Sequence, residues 1–332
     1  MKHLSYCVII LMAALHTGCS SDQKPARIPE KRAADPVRVP EFNADSAYHF
    51  VERQVQFGPR VPNTAEHAAC AAFLFSELER FADTVIMQSF RARAFNGTIL
   101  NGKNIIGSFY PEKTNRIFLC AHWDTRPFAD YDPDPANHNK PIDGANDGAS
   151  GVGVLLEIAR QLASTRPGIG VDILFFDLED YGPPQDAQQR GQGDWWALGS
   201  QYWSRNPHQV NYHARFGILL DMVGATDAKF KMEGFSMFYA PGLLKNVWNI
   251  AHRIGFKDYF LFEQGGYIED DHKYINEILK IPTINIIHLD SQSSNRSFFD
   301  HWHTMNDTME NISPQTLKVV GQTVLTVIFE EK

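Results

Sequence analysis

The sequence predicts one large α/β domain built around a helix-flanked sheet, and three observations predict it. Helix-period and strand-like stretches alternate from about residue 41 to the C-terminus, the pattern of a layered α/β sheet. With 332 residues, 43% hydrophobic and 21% charged, the chain can bury a full core, and no break in composition divides it. Acid and imidazole groups recur at or just after the carboxyl ends of the expected strands, where open α/β sheets place their sites.

The elements follow in order. Asn63, with Glu66 three residues later, is expected to cap a helix running to about Phe81, as in a capping box. Thr98 to Phe109 and Arg116 to Cys120 read as strands, Ala149 to Ala163 as an amphipathic helix, and Val171 to Phe176 and Phe216 to Leu220 as buried strands. A helix from Leu243 to Ile254, a strand around Thr283 to Ile287 and a closing helix from Pro314 to Phe329 complete the set.

Ahead of this domain, Lys2 and His3 precede an apolar run from Tyr6 to Leu15, too short to span a bilayer and typical of a secretion signal. The run ends in Leu15-His16-Thr17-Gly18-Cys19-Ser20, which resembles a bacterial lipoprotein cleavage site with the lipid on Cys19. Residues 1–19 are therefore expected to be a signal peptide. Residues 20–41, charged and rich in proline, are expected to be a flexible tether, and residues 42–332 a single folded domain. The expected location is the periplasm of a Gram-negative bacterium, with membrane contact only through the lipid. A net charge of -8 argues against a nucleic-acid partner, because phosphate neutralisation needs clustered Lys and Arg. Cys70 and Cys120 sit in apolar contexts and are expected to be buried thiols, not a disulfide.

Five segments carry candidate chemistry: Ala121-His122-Trp123-Asp124, Gly144-Ala145-Asn146-Asp147-Gly148, Phe176-Asp177-Leu178-Glu179-Asp180, Leu220-Asp221-Met222 and Trp302-His303-Thr304. Singly each is weak, since a lone loop aspartate is usually a turn or cap residue. Glu179-Asp180 after an apolar strand is more telling, because adjacent carboxylates there repel unless a cation or shared protons compensate. Together the imidazoles and carboxylates suit a borderline cation such as zinc.

This ordered set, with Leu198-Gly199-Ser200 and Leu220-Asp221-Met222-Val223-Gly224, resembles the M28 zinc peptidase superfamily from about Asn43 to the C-terminus. The resemblance implies a three-layer sandwich with a central mixed, mostly parallel sheet flanked by helices, as in the zinc aminopeptidases. Two readings compete inside it, a two-zinc aminopeptidase and a one-zinc glutaminyl cyclase. Gly265-Gly266-Tyr267-Ile268-Glu269-Asp270-Asp271-His272 is similar to the cyclase loop, with Asp270 where aminopeptidases typically carry Ser. Trp302 before the histidine is likewise cyclase-like.

Carried over, the resemblance makes Asp147, Asp180 and His303 the ligands of one zinc, Glu179 the general acid/base, and Asp221 and Asp270 its hydrogen-bond partners. It makes Trp302, Ile268, Phe298 and Trp195 the lining of a glutamine pocket, with Trp196 the alternative to Trp195. Asp180 stands where animal cyclases carry Glu, one methylene longer. His122 is read as a structural histidine oriented by Asp124, with a second metal ligand as the alternative. The implied substrates are peptides and proteins with N-terminal Gln, and a monomer is expected.

Overall fold

The computed structural model describes residues 38–185, 187 and 193–332. The expected signal peptide, Cys19 and the tether up to residue 37 lie outside the described residues. In chain order the elements are helix α1 (Ala44–Val55), helix α2 (Ala65–Glu79), strands β1 (Thr84–Arg93), β2 (Ile99–Phe109) and β3 (Arg116–His122), and helix α3 (Ala149–Ser164). Strand β4 (Gly170–Phe176), helix α4 (Leu198–Arg205) and strands β5 (Gly217–Asp221) and β6 (Phe230–Met232) follow. The chain closes with helices α5 (Gly234–Tyr239) and α6 (Pro241–Arg253), strand β7 (Phe260–Gln264), helix α7 (Asp271–Tyr274), strand β8 (Thr283–Ile287) and helix α8 (Pro314–Glu330).

The main sheet runs β1-β2-β4-β3-β5-β8. The pairs β1/β2 and β2/β4 are antiparallel, whereas β3/β4, β3/β5 and β5/β8 are parallel. The three central parallel strands β3, β4 and β5 are buried at every residue, which is why they read as continuous apolar runs. Their side chains alternate between the two faces. Ile117, Leu119 and Ala121 join the larger core beneath α1, α3, α6 and α8, while Phe118 and Cys120 join a second core with Trp203 of α4. Cys70 and Cys120 are buried free thiols, as expected.

Sequence and structure differ at the edges. The α2 cap is Thr64, whose hydroxyl accepts the His67 N–H, and not Asn63. Asn63 has a φ of +73°, and its amide oxygen accepts from Asn101 N while its NH2 donates to the Ile99 carbonyl. The edge strand β1 carries only one buried residue, so no clear alternation marks it. The two-stranded β6-β7 sheet is too short to give a period. It matters for the site all the same, because Glu233 between β6 and α5 accepts the backbone N–H groups of Phe235, Ser236 and Ile268. A buried His272 lies 2.9 Å from the same carboxylate, so the loop that follows β7 is tied to the sheet margin at its centre.

Candidate metal and catalytic centre

The centre lies at the carboxyl ends of β3, β4 and β5. At the end of β4 the chain turns sharply, with Leu178 at φ +60°. The buried Asp177 carboxylate accepts from the backbone of Lys103 and Leu178 and meets His67 Nε2 at 2.9 Å. Asp124, just past β3, accepts the Glu179 N–H at 3.0 Å and the Asp180 N–H at 3.2 Å. One carboxylate therefore aims both side chains. The N-terminus of α4 packs so closely on this turn that a Cβ on Gly199 would lie 2.1 Å from the Asp177 carbonyl oxygen.

Asp147 reaches the centre from the loop before α3. Gly144 and Gly148 adopt φ values of +59° and +96°, a region open to glycine. Both Asp307 oxygens hold this loop, accepting the Asn146 N–H at 2.8 Å and the Asp147 N–H at 3.0 Å. Asp221 ends β5, Asp270 caps α7, and His303 sits at φ +54° in the loop after β8, stacked on Trp302.

These residues form two overlapping sets. Asp147, Asp180 and His303 converge, with His303 Nε2 3.3 Å from Asp180 Oδ1 and 3.5 Å from Asp147 Oδ2. Tetrahedral zinc with ligands at about 2.0–2.1 Å separates its ligand atoms by about 3.3 Å, so the set fits zinc. The buried Asp180 Oδ2 has no hydrogen-bond partner, as suits an atom shaped for a cation. His122, Asp147 and Asp221 form the second set, with His122 Nε2 3.0 Å from Asp147 Oδ1 and 3.3 Å from Asp221 Oδ1. The expected partner of His122, Asp124, lies 3.6 Å from its Nδ1 at ion-pair distance, and the same carboxylate serves the Glu179-Asp180 turn.

The electrostatics follow from burying so many charges together. Burial pushes the Glu179 carboxyl well above the usual range, the charges of Asp180, Asp270 and Asp271 add to the effect, and His122 opposes it. Burial likewise raises Asp221 to about 7, with Asp270 and Asp147 adding and the His122 bond subtracting. Asp270 is raised by burial despite the Asn285 amide 2.6 Å from its Oδ2. Burial alone would lower His122, but Asp124, Asp147 and Asp221 outweigh it and favour the imidazolium.

A cavity of about 290 Å³ opens on the centre. Glu179, Asp180, Asp147, Asp221, Asp270 and His303 all face it, with Ile268, Phe298 and Trp302 as its apolar side. Trp195, expected in this wall, does not line the cavity. Trp196 does, with the Arg126 guanidinium 4.9 Å from its ring. Gly182 permits that position, since a Cβ there would come within 2.2 Å of the Trp196 ring.

The sequence reading missed a second layer. The fully buried Arg126 binds both oxygens of Asp130 at 2.8 Å and the Asp180 carbonyl at 3.2 Å. Asp130 in turn lies 3.4 Å from His303 Nδ1, the carboxylate-histidine arrangement that orients metal-binding imidazoles. Burial would raise the Asp130 carboxyl, but the bonds from Arg126 and His303 hold it below the usual range. The available signal was the Arg126-to-Asp130 spacing directly behind His122-x-Asp124.

An α/β sheet whose strand ends present overlapping carboxylate-histidine sets over a small cavity defines a metal-dependent enzyme of the zinc-peptidase type. The model of peptidase family M28 matches residues 104–328, and the chain belongs to that family. Among solved structures it is similar to the glutaminyl cyclase of Tannerella forsythia, at 53% identity over 88% of this chain and 100% of that one, with a TM-score of 0.86. It is similar as well to a Zn-dependent exopeptidase from Parabacteroides distasonis, at 52% identity over 89% and 100%, with a TM-score of 0.87. The glutaminyl-peptide cyclotransferase of Bos taurus is 25% identical over 264 residues, 68% of this chain and 65% of that protein. The chain spans 44% and 65% of the lengths of the first two curated relatives it matches.

Proposed function

We propose that this chain is a zinc-dependent glutaminyl-peptide cyclotransferase, which converts the N-terminal glutamine of peptides and proteins to pyroglutamate and releases ammonia. The observation that carries the reading is Asp270 in the cavity wall with Glu179 and Asp221, facing an apolar slot of Ile268, Phe298 and Trp302. Three carboxyls all raised by burial in one cavity suit a reaction that moves a proton between two nitrogens. At about 290 Å³ the cavity falls just below the range of sites that hold drug-sized ligands, and it suits one side chain.

In the reaction the free α-amine attacks the side-chain carboxamide carbon, the new C–N bond closes a five-membered ring, and the old C–NH2 bond breaks. The nucleophile is tethered to its target, so no water need be activated. Asp147, Asp180 and His303 would hold one zinc, which when bound supplies a Lewis acid for the carboxamide oxygen. Glu179 takes the proton from the attacking amine and returns it to the departing nitrogen, a role served by a carboxyl raised toward neutrality. Burial keeps that carboxyl raised, and the charges of Asp180, Asp270 and Asp271 add to it, with Asp221 a further raised acid in the same cavity. Trp302, Phe298 and Trp196 shelter ring closure from water.

The second reading, a two-zinc aminopeptidase, is favoured by the convergence of His122, Asp147 and Asp221. A peptide with N-terminal Gln separates the two. Ammonia release with loss of the primary amine supports the cyclase, whereas release of free glutamine overturns it. Activity that saturates at one zinc per chain supports a single metal, and a rise to two equivalents refutes it. We also propose export by residues 1–19, lipid attachment at Cys19, a periplasmic location and a monomeric state. Fatty-acid labelling that survives Cys19→Ser refutes the anchor.

A further inference from the structure

A second, smaller cavity of about 160 Å³ adjoins the active-site cavity, and the two share Ile268 and Ser297 as a common wall. Its other walls include Lys231, Gly265, Gly266 and Arg296, and no carboxylate lines it. Lys231 is half-buried and reaches one acid, Glu263, at 3.3 Å, whose side chain is 59% exposed. Arg296 is exposed and forms no ion pair among the described residues. On a chain of net charge -8, two cations against an acid-free hollow beside the reaction centre need a reason.

The loop that presents Arg296 is firmly built. Asn295 Oδ1 accepts the Ser297 N–H at 3.0 Å and the Phe298 N–H at 2.7 Å, and Asp290 N–H donates to the Ser297 carbonyl at 2.9 Å. Arg296 itself is held at φ +59°, a conformation that disfavours residues with a Cβ. Phe298 of the same loop lines the active site, so the loop fixes the glutamine slot and Arg296 as one piece.

A peptide whose N-terminal glutamine fills the active-site cavity must leave it along some wall, and an extended chain advances about 3.3–3.6 Å per residue. The cationic hollow borders the active-site cavity at Ile268 and Ser297. We propose that this hollow is a subsite for a carboxylate on the substrate, on the first or second residue after the reacting glutamine, recognised by Arg296 and Lys231. The proposal rests on the cyclase reading. The carboxylate could belong to an acidic side chain or to the C-terminus of a short peptide, since a guanidinium recognises both.

The test compares kcat/KM for ammonia release from matched peptides: Gln-Glu-Ala-amide against Gln-Gln-Ala-amide, Gln-Ala-Glu-amide against Gln-Ala-Gln-amide, and Gln-Ala-Ala as free acid against its amide. At low salt at least one carboxylate peptide should exceed its neutral partner by about five- to tenfold, which is about 1.0–1.4 kcal/mol. Which pair shows the advantage tells side chain from C-terminus. The ratio should fall toward one in Arg296→Gln, in Lys231→Gln, and in 0.5 M salt, where the Debye length is only a few ångströms. A ratio near one in the wild type for all three pairs, or one that survives the double variant, overturns the subsite. Loss of the cyclase reading looks different: no peptide, neutral ones included, would then release ammonia.

Discussion

Replacing Asp221 by Asn should stabilise the metal-stripped fold at alkaline pH while removing activity. The Asp221 carboxyl is raised from 3.8 to about 7 by burial and by its acidic neighbours. Between those values the folded chain retains a proton that the unfolded chain has released, so stability falls as pH rises from about 4 to about 7. The gap corresponds to roughly 4 kcal/mol at pH 8, and to roughly 1–2 kcal/mol at pH 5. Asn avoids that cost and still offers an amide oxygen to His122 Nε2, which the Asp221 oxygen meets at 3.3 Å. A gain of about 1–2 kcal/mol is expected at pH 5 and of about 4 kcal/mol at pH 8, the latter about 6 °C in Tm for a domain of this size. Thermal unfolding of chelator-treated wild type and Asp221→Asn at both pH values measures this. An advantage that does not grow between pH 5 and pH 8 refutes the burial argument.

Three further substitutions probe the layers of the site. Glu179→Gln should keep zinc bound and lower turnover by about two to four orders of magnitude; metal analysis beside kinetics checks it, and loss of zinc would make Glu179 a ligand instead. Asp130→Asn should weaken zinc affinity by about 10- to 100-fold through the loosened His303 ring, and competition against a chelator reads that directly, unchanged affinity counting against the role. Gly199→Ala must move the Asp177 carbonyl or the start of α4, since its Cβ would sit 2.1 Å away. A loss of about 1–3 kcal/mol in denaturant unfolding is expected, together with reduced turnover, and a variant of wild-type stability would show that the turn yields freely.

The central sheet was legible because buried parallel strands need apolar side chains on both faces, and β3, β4 and β5 meet that need at every position. The strand β1 was not, because an exposed edge imposes no such pattern. The candidate site residues fall together because the sheet brings the ends of its strands to one margin. Trp195 and Trp196 could not be told apart by composition, since the choice depends on the missing Cβ of Gly182 and on the Arg126 guanidinium, both distant in sequence. The function of Asp124 was equally hidden: its partners are backbone N–H groups, which are the same at every residue and leave no trace in a motif.

Because Asp124 grips consecutive N–H groups, Glu179, the proposed proton carrier, and Asp180, a candidate metal ligand, move as a single body. Neither can be repositioned for a new reaction without displacing the other. The parts free to diverge are the loops of residues 265–271 and 295–302, short of the candidate ligand His303, which bring Ile268, Asp270, Phe298 and Trp302 to the cavity. A fold arranged this way can exchange one amide chemistry for another by rewriting two short segments, while the strand ends that hold the charged half are inherited intact.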